Sequence, residues 1–360
     1  MASVEWGKYR IDDLFKIQTS AKRFDANKVN IIENGRYPYV VRTSSNNGQK
    51  GFLDENESFL NAGNTISFGQ DTATIFYQEK PYFTGDKIKV LVPKVYKFNK
   101  KNAQFFLASM NIAFSKFSWG SSRFNVDVLK EQVIMLPTKC DSIDFEFMES
   151  FIEELEAERI EELEAYLSVS GLKDTQLTAD ELSVLDKFNS IKWKKFNLET
   201  LFGKSTRGKR LKGDDRIGGN LPFVTAGEAD EGISAFISND VEIFSSNSTT
   251  IDMFGSAKYR NYNYGADDHI AVVHTENLSK YAAIFVTSAC HKSAHNGDFS
   301  YSRNFYAKDA DKLYISLPVK NEQPDYELMS TLISAIQKLV IADVVKFSDE
   351  KIKATKQVVG

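Results

Sequence analysis

At 360 residues, 42% apolar and 26% charged, the chain is long enough for two ordinary domains and too apolar for wholesale disorder. Its two cysteines, Cys140 and Cys290, exclude a disulfide framework and suit a reducing cytoplasm; no stretch approaches the ~20 apolar residues of a membrane span, and the start lacks a signal-peptide pattern. The net charge of −4 is uneven, because residues 141–164 carry −10 and leave the remainder at +6, the difference of the two, enough to attract phosphates weakly.

In chain order, Trp6 to Phe15 opens the sequence with Trp-x-x-Tyr-x-Ile-x-x-Leu-Phe. Short apolar runs follow, among them Tyr37 to Val41 and Ile88 to Val92, broken by Gly, Asn, Asp and Ser, which predicts strands joined by turns. Asn102 to Lys116 predicts a helix. After Leu136-Pro137, the positions Phe145, Met148, Ile152 and Leu155 step by three and four, then change phase to Ile160, Leu163 and Leu167. Thr178-Ala-Asp-Glu181 is a capping-box pattern that starts a short helix.

Trp193 to Phe202 then repeats the opening. Pro38-Tyr39-Val40 matches Pro222-Phe223-Val224, Phe68-Gly69 matches Phe254-Gly255, Asp86-Lys87-Ile88 matches Asp268-His269-Ile270, Ser122-Arg123 matches Ser302-Arg303, and Leu136-Pro137 matches Leu317-Pro318. Collinear matches of this kind mark an internal duplication. Within it, Val241 to Phe244 and Ile270 to Val273 predict strands. The chain closes with Tyr326, Met329, Ile333, Ile336, Val340 and Phe347, a coiled-coil seam. The two long helices either bury their seams against each other, the arrangement their length favours, or pack each on its own domain.

The predicted architecture is therefore mixed α/β: two tandem pseudo-repeated domains joined by two long helices in an antiparallel coiled coil. The boundaries are 1–140 for the first domain, 141–169 for its helix, 170–191 for a linker, 192–321 for the second domain and 322–360 for its helix.

This plan, the Trp-x-x-Tyr/Phe openings, the Leu-Pro exits and the Ile143 to Glu149 start of the first long helix resemble the specificity subunits of type I and type IIB restriction-modification enzymes. The resemblance implies a non-catalytic DNA-binding subunit that reads a bipartite, asymmetric double-stranded site. It also implies partners: adenine-N6 methyltransferase subunits, with a restriction subunit fused or separate. S-adenosylmethionine and magnesium belong to those partners, so no cofactor is expected here. Phe145, Met148, Ile152, Leu155, Met329, Ile333, Ile336, Val340 and Phe347 would serve the coiled coil or the partners. The alternative class is a protein-interaction scaffold without DNA binding, or a degenerate specificity subunit.

DNA reading needs cationic phosphate anchors and polar base readers in loops. Repeat 1 offers Lys22 and Arg23 after the Leu-Phe pair, then Arg42, Thr43, Ser44, Asn46 and Asn47 after a predicted strand, and Arg123. Repeat 2 offers Lys204, Arg207, Lys209 and Arg210 in the matching basic loop, Lys258, Tyr259 and Arg260 in an aromatic-basic alternation, Lys292, and Arg303. The loop aligned with Arg42 to Lys50 is the acidic Thr225 to Gly232, which implies either different readers or no contact there. A solvated turn or an ordinary amphipathic strand explains the same patterns without DNA. Cys290-His291 with His295 lacks a fourth metal ligand, so no metal site is predicted. No Asn/Asp-Pro-Pro-Tyr, Phe-x-Gly-x-Gly or Walker motif supports catalysis.

Overall fold

Asp144 and Asp325 stand where each repeat turns from sheet to helix. Each carboxylate accepts a backbone N–H three residues on, at 2.9 Å from Phe147 and 3.0 Å from Leu328, capping donors the helix leaves unpaired. The computed structural model describes residues 4–115 and 126–359, with side chains as far as Ala354.

The first repeat runs β1 (Glu5–Arg10), α1 (Ile11–Leu14), β2 (Phe15–Thr19), β3 (Tyr37–Val40), β4 (Gln49–Leu53), β5 (Thr65–Gly69), β6 (Ile75–Gln78), β7 (Phe83–Thr84), β8 (Ile88–Pro93), α2 (Ala103–Phe114), α3 (Val126–Glu131), β9 (Val133–Lys139), β10 (Ser142–Ile143) and α4 (Phe145–Val169). After α5 (Ala179–Asp186) the same order returns: β11 (Trp193–Asn197), α6 (Leu198–Phe202), β12 (Thr206–Arg207), β13 (Gly218–Val224), β14 (Ile233–Ile237), β15 (Ser248–Asp252), β16 (Ala257–Arg260), β17 (Gly265–Ala266), β18 (Ile270–Val273), α7 (Lys280–Ala294), α8 (Ala307–Asp311), β19 (Tyr314–Lys320), β20 (Gln323–Pro324) and α9 (Tyr326–Val359).

The three sheets of each repeat correspond strand for strand: β1-β9-β10 with β11-β19-β20, β2-β8-β5-β6 with β12-β18-β15-β16, and β4-β3-β7 with β14-β13-β17. Trp6 pairs with Pro137 as Trp193 pairs with Pro318. One predicted match fails. Gly69 pairs with Ile88 while Asp252 pairs with Ile270, so Phe68-Gly69 corresponds to Ile251-Asp252, three residues before Phe254-Gly255. Val241 to Phe244 is not a strand; only Phe244 bridges to Tyr264.

β5 is buried along its whole length because both faces are covered. Ile66 and Phe68 meet Phe106, Met110 and Phe114 of α2. Its counterpart β15 is equally buried but polar, and its hydroxyls are satisfied: Ser248 meets the Tyr264 hydroxyl at 2.8 Å and Thr249 meets Thr287 at 2.7 Å.

The chain divides into two units, Met1–Glu162 and Leu163–Gly360, with the boundary inside α4. In the first unit Phe145 and Met148 of α4 join the domain core, and Phe147 and Phe151 pack on Phe105. In the second unit the buried residues of α9 include Met329, Leu332, Ala335, Val345 and Ser348. Only Met329 of these belongs to the predicted seam. Ile336, Val340 and Phe347 are exposed, as is Leu155 of α4, whereas Tyr326 and Met329 at the start of the same seam pack into the core of the second domain. The second unit also includes the last turns of α4: Ser348 donates to Glu164, and Lys173 pairs with both Glu164 and Asp349. Contrary to the sequence reading, Tyr326–Ala354 is apolar and long enough to cross a membrane by length and composition, because its apolar residues serve both a domain core and an open edge.

Candidate nucleic-acid interface

Tyr39 is fully buried on β3, and its hydroxyl donates to the Phe24 carbonyl at 2.6 Å; burial, with Asp25 nearby, pushes its pKa up to about 12. Phe24 in turn donates its N–H to Thr84. These contacts fold the basic loop after β2 against the loop after β3. Arg23, Arg42 and Thr43 thereby line one recess of about 970 Å³ with Asn27, Gln49, Lys50 and Asp86. Of the predicted residues of repeat 1, Arg23, Arg42 and Thr43 converge here, while Lys22, Ser44, Asn46 and Asn47 do not line the recess; sequence reasoning missed Asn27 and the acidic partners.

Those partners matter. Arg23 pairs with Asp86 at 3.3 Å, and Arg42 and Lys87 share Asp71 at 2.5 and 2.7 Å. Such half-exposed ion pairs are weak, so a phosphate can displace the carboxylates. Lys22 lies over the Phe24 and Phe59 rings at 4.6 and 4.5 Å. Ser44 is exposed. Asn46 and Asn47 adopt left-handed backbone angles at the loop tip, donating to Gln49 and Tyr77 carbonyls. Arg123 lies outside the described residues.

In repeat 2, Lys204, Arg207, Lys209 and Arg210 are exposed, and among the described residues none pairs with a carboxylate. Gly208 is buried between them, and Lys209 N–H donates to the Ala266 carbonyl at 3.1 Å. A Cβ on Gly208 would lie 1.7 Å from that carbonyl oxygen, so the loop approaches β17 only because no side chain intervenes. Gly208→Ala is expected to lift the loop and destabilise the second unit by about 2–3 kcal/mol, as overpacking does. A thermal midpoint unchanged from wild type would contradict that.

The β16 residues do not behave as predicted. Lys258 is largely buried, donating to Ser256 at 2.9 Å and Glu228 at 3.3 Å. The Tyr259 hydroxyl donates to Asn247 at 2.8 Å, and Arg260 is only 1% exposed. Arg260 is buried and Lys258 and Tyr259 are partly buried, because the loop Thr225 to Gly232 and the α7 side of the sheet cover an alternation that looks solvent-facing in sequence. His291 is an acceptor for Ala257 N–H through Nδ1 at 3.1 Å, a packing role. Lys292 is exposed at the end of α7, and exposed Arg303 lies over the Phe299 ring at 5.3 Å. Among the described residues Asp267, Asp268 and His269 bring potential metal-ligating atoms together, where repeat 1 has Gly85-Asp86-Lys87.

A family model described as the type I restriction modification DNA specificity domain matches residues 3–165 and again 190–346, one match per structural repeat. The chain belongs to that family. DNA sequence specificity is the role of these domains, and catalysis lies in other subunits of the systems they serve. The type II restriction enzyme specificity subunit S.BcgI of Heyndrickxia coagulans is 26% identical over 346 residues, 94% of this chain and 96% of that protein. The S subunit of a type I restriction-modification system from M. genitalium shares the fold at a TM-score of 0.62, with 16% identity, over 99% of this chain and 95% of that one. Each of the two matched segments holds its basic loop beside the turn before its last sheet-core strand, β8 or β18.

Proposed function

We propose that each repeat reads one half of a bipartite, asymmetric site in double-stranded DNA, and that the chain brings adenine-N6 methyltransferase subunits to it in the cytoplasm, with a restriction subunit fused or separate. The observation that carries the reading is that one fold, built twice, presents two unlike polar loops at the same place: Arg42 to Gln49 with Asn46 and Asn47, and Thr225 to Gly232 with Asp230 and Glu231. Amide and cationic side chains suit acceptor-rich purine edges, whereas carboxylates accept from the cytosine amino group. Unlike loops read unlike half-sites. The basic loops supply sequence-independent phosphate anchorage beside them.

The exposed apolar residues Leu155, Ile336, Val340 and Phe347 support the recruitment half of this reading. Ile336, Val340 and Phe347 fall on one face of α9, and apolar faces left open of this kind commonly mark a protein partner. Paired long helices would then hold the two half-sites at a set distance.

The test is domain exchange in cells carrying the methyltransferase subunits. Replacing residues 1–140 with the same domain of a relative should change the methylated bases of one half-site and leave the other half and the spacer as they were. Methylome sequencing reads the result directly. A change in both halves, or methylation indifferent to the exchange, would overturn the reading.

A further inference from the structure

β6 and β16 are the equivalent edge strands of the four-stranded sheets. Gln78 sits opposite Thr65, and Arg260 sits opposite Ser248, at the corresponding position. Two residues back on the same faces lie Phe76 and Lys258. In repeat 1 these side chains underpin the loop after β3. Gln78 Nε2 donates to the Asn47 carbonyl and to Ser67 Oγ, both at 3.1 Å, and Phe76 fills the space a Cβ on Gly48 would need.

In repeat 2 the same positions are cationic. Arg260 Nε donates to Thr250 Oγ1 at 2.9 Å and Nη1 to the Tyr262 hydroxyl at 3.0 Å, beside the Tyr264 ring. Nη2 points under the loop, 3.9 Å from where Gly232 would carry a Cβ. Among the described residues no carboxylate lies within 4 Å of the guanidinium, although the group is buried. Lys258 grips Glu228 in the same loop. A buried cation without a counter-charge is costly and is kept where it does something.

Both loops need support. Asn46, Asn47 and Gly48 have φ of 48°, 53° and 75°; Asp230, Glu231 and Gly232 have 47°, 54° and 79°. Two consecutive non-glycine residues in the left-handed region are strained and persist only when their surroundings hold them. The second loop also carries Glu228, Asp230 and Glu231, a charge of −3 that DNA would repel.

We propose that Arg260, with Lys258, is a specificity-determining positioning residue for the second half-site: it holds Thr225 to Gly232 in its reading conformation and offsets the loop's three carboxylates, as neutral Gln78 holds the basic loop of repeat 1. This rests on the assignment of both loops as readers. It also accounts for an acidic loop where the first repeat has a basic one.

The experiment selects DNA from a randomised duplex library with the assembled methyltransferase complex, comparing wild type, Arg260→Gln and Lys258→Met. Arg260→Gln installs the repeat 1 solution. The expected result is base discrimination in the second half-site reduced at least tenfold, first half-site preferences within about twofold, and a salt slope changed by less than one unit, since Arg260 anchors no phosphate. Lys258→Met should give a weaker loss confined to the same half. A merely structural role would lower the melting temperature and weaken both halves together, and that outcome overturns the proposal, as do unchanged preferences in a folded variant. If Arg260→Gln does not fold, the Lys258→Met result decides by the same criteria. Failure of the wild-type complex to enrich any two-part site would instead overturn the reader assignment itself.

Discussion

Changing Lys209 and Arg210 together to alanine lowers affinity for every DNA sequence alike, by about sixty-fold near 0.1 M salt, and flattens the salt dependence by about two units. Each phosphate contact contributes roughly 0.9 to the slope of log affinity against log salt, and so about eightfold at that ionic strength. These two cations are exposed and have no carboxylate partner among the described residues, so the whole counterion-release gain is available to them. Gly208, closed down on Ala266, keeps their loop from folding away. Arg23→Ala or Arg42→Ala should cost less, about fivefold, because DNA must first displace Asp86 or Asp71. Binding of specific and unrelated duplexes, followed by anisotropy at several salt concentrations, separates the cases. A loss confined to the specific duplex would make these residues base readers and not anchors.

Glu181→Ala should destabilise the second unit by about 3–5 kcal/mol, lowering its melting temperature by roughly 10 °C. Glu181 closes the predicted capping box with Thr178 and also reaches α9, accepting from Ser334 at 2.6 Å and Lys338 at 3.1 Å. Burial opposes ionisation, yet the Ser334 hydroxyl, the Thr178 N–H and the Lys338 ammonium together lower its pKa from 4.5 to about 2. The folded value lies below the unfolded one. The carboxylate therefore contributes its full stability above about pH 4.5 and loses it as pH falls through 4.5 toward 2, with an upper bound of roughly 3 kcal/mol. Glu181→Gln keeps the cap and the packing but not the charge. Its stability should be nearly flat across that window, where wild type falls. Parallel acid-unfolding curves for the two proteins would exclude a structural role for the charge.

Much of this was legible in the residues. The Trp6 and Trp193 openings, the Leu-Pro exits and the Thr178 capping box are local signals, and each lands where its chemistry predicts. The α9 seam was legible as a period but not as an interface. Periodicity shows that Ile336, Val340 and Phe347 share a face; it cannot show that this stretch is left exposed while Met329 of the same seam is buried. The Phe254-Gly255 match misled because identical residue pairs recur by chance near a real correspondence, and only strand register fixes which residue sits opposite Ile270.

By itself the sequence determined the duplication, the order of elements, the two long helices and the positions of the basic loops, since all of these rest on spacing along the chain. Only the tertiary structure decided which cations are free to meet a phosphate. Lys209 and Lys258 look equally available in a basic stretch. One sits on a loop held outward by Gly208, and the other lies in a strand that Thr225 to Gly232 folds over. Charge is written in the sequence, but its desolvation depends on residues that approach from about thirty positions away, and it is that approach which turns Arg260 from an apparent DNA contact into a support beneath one.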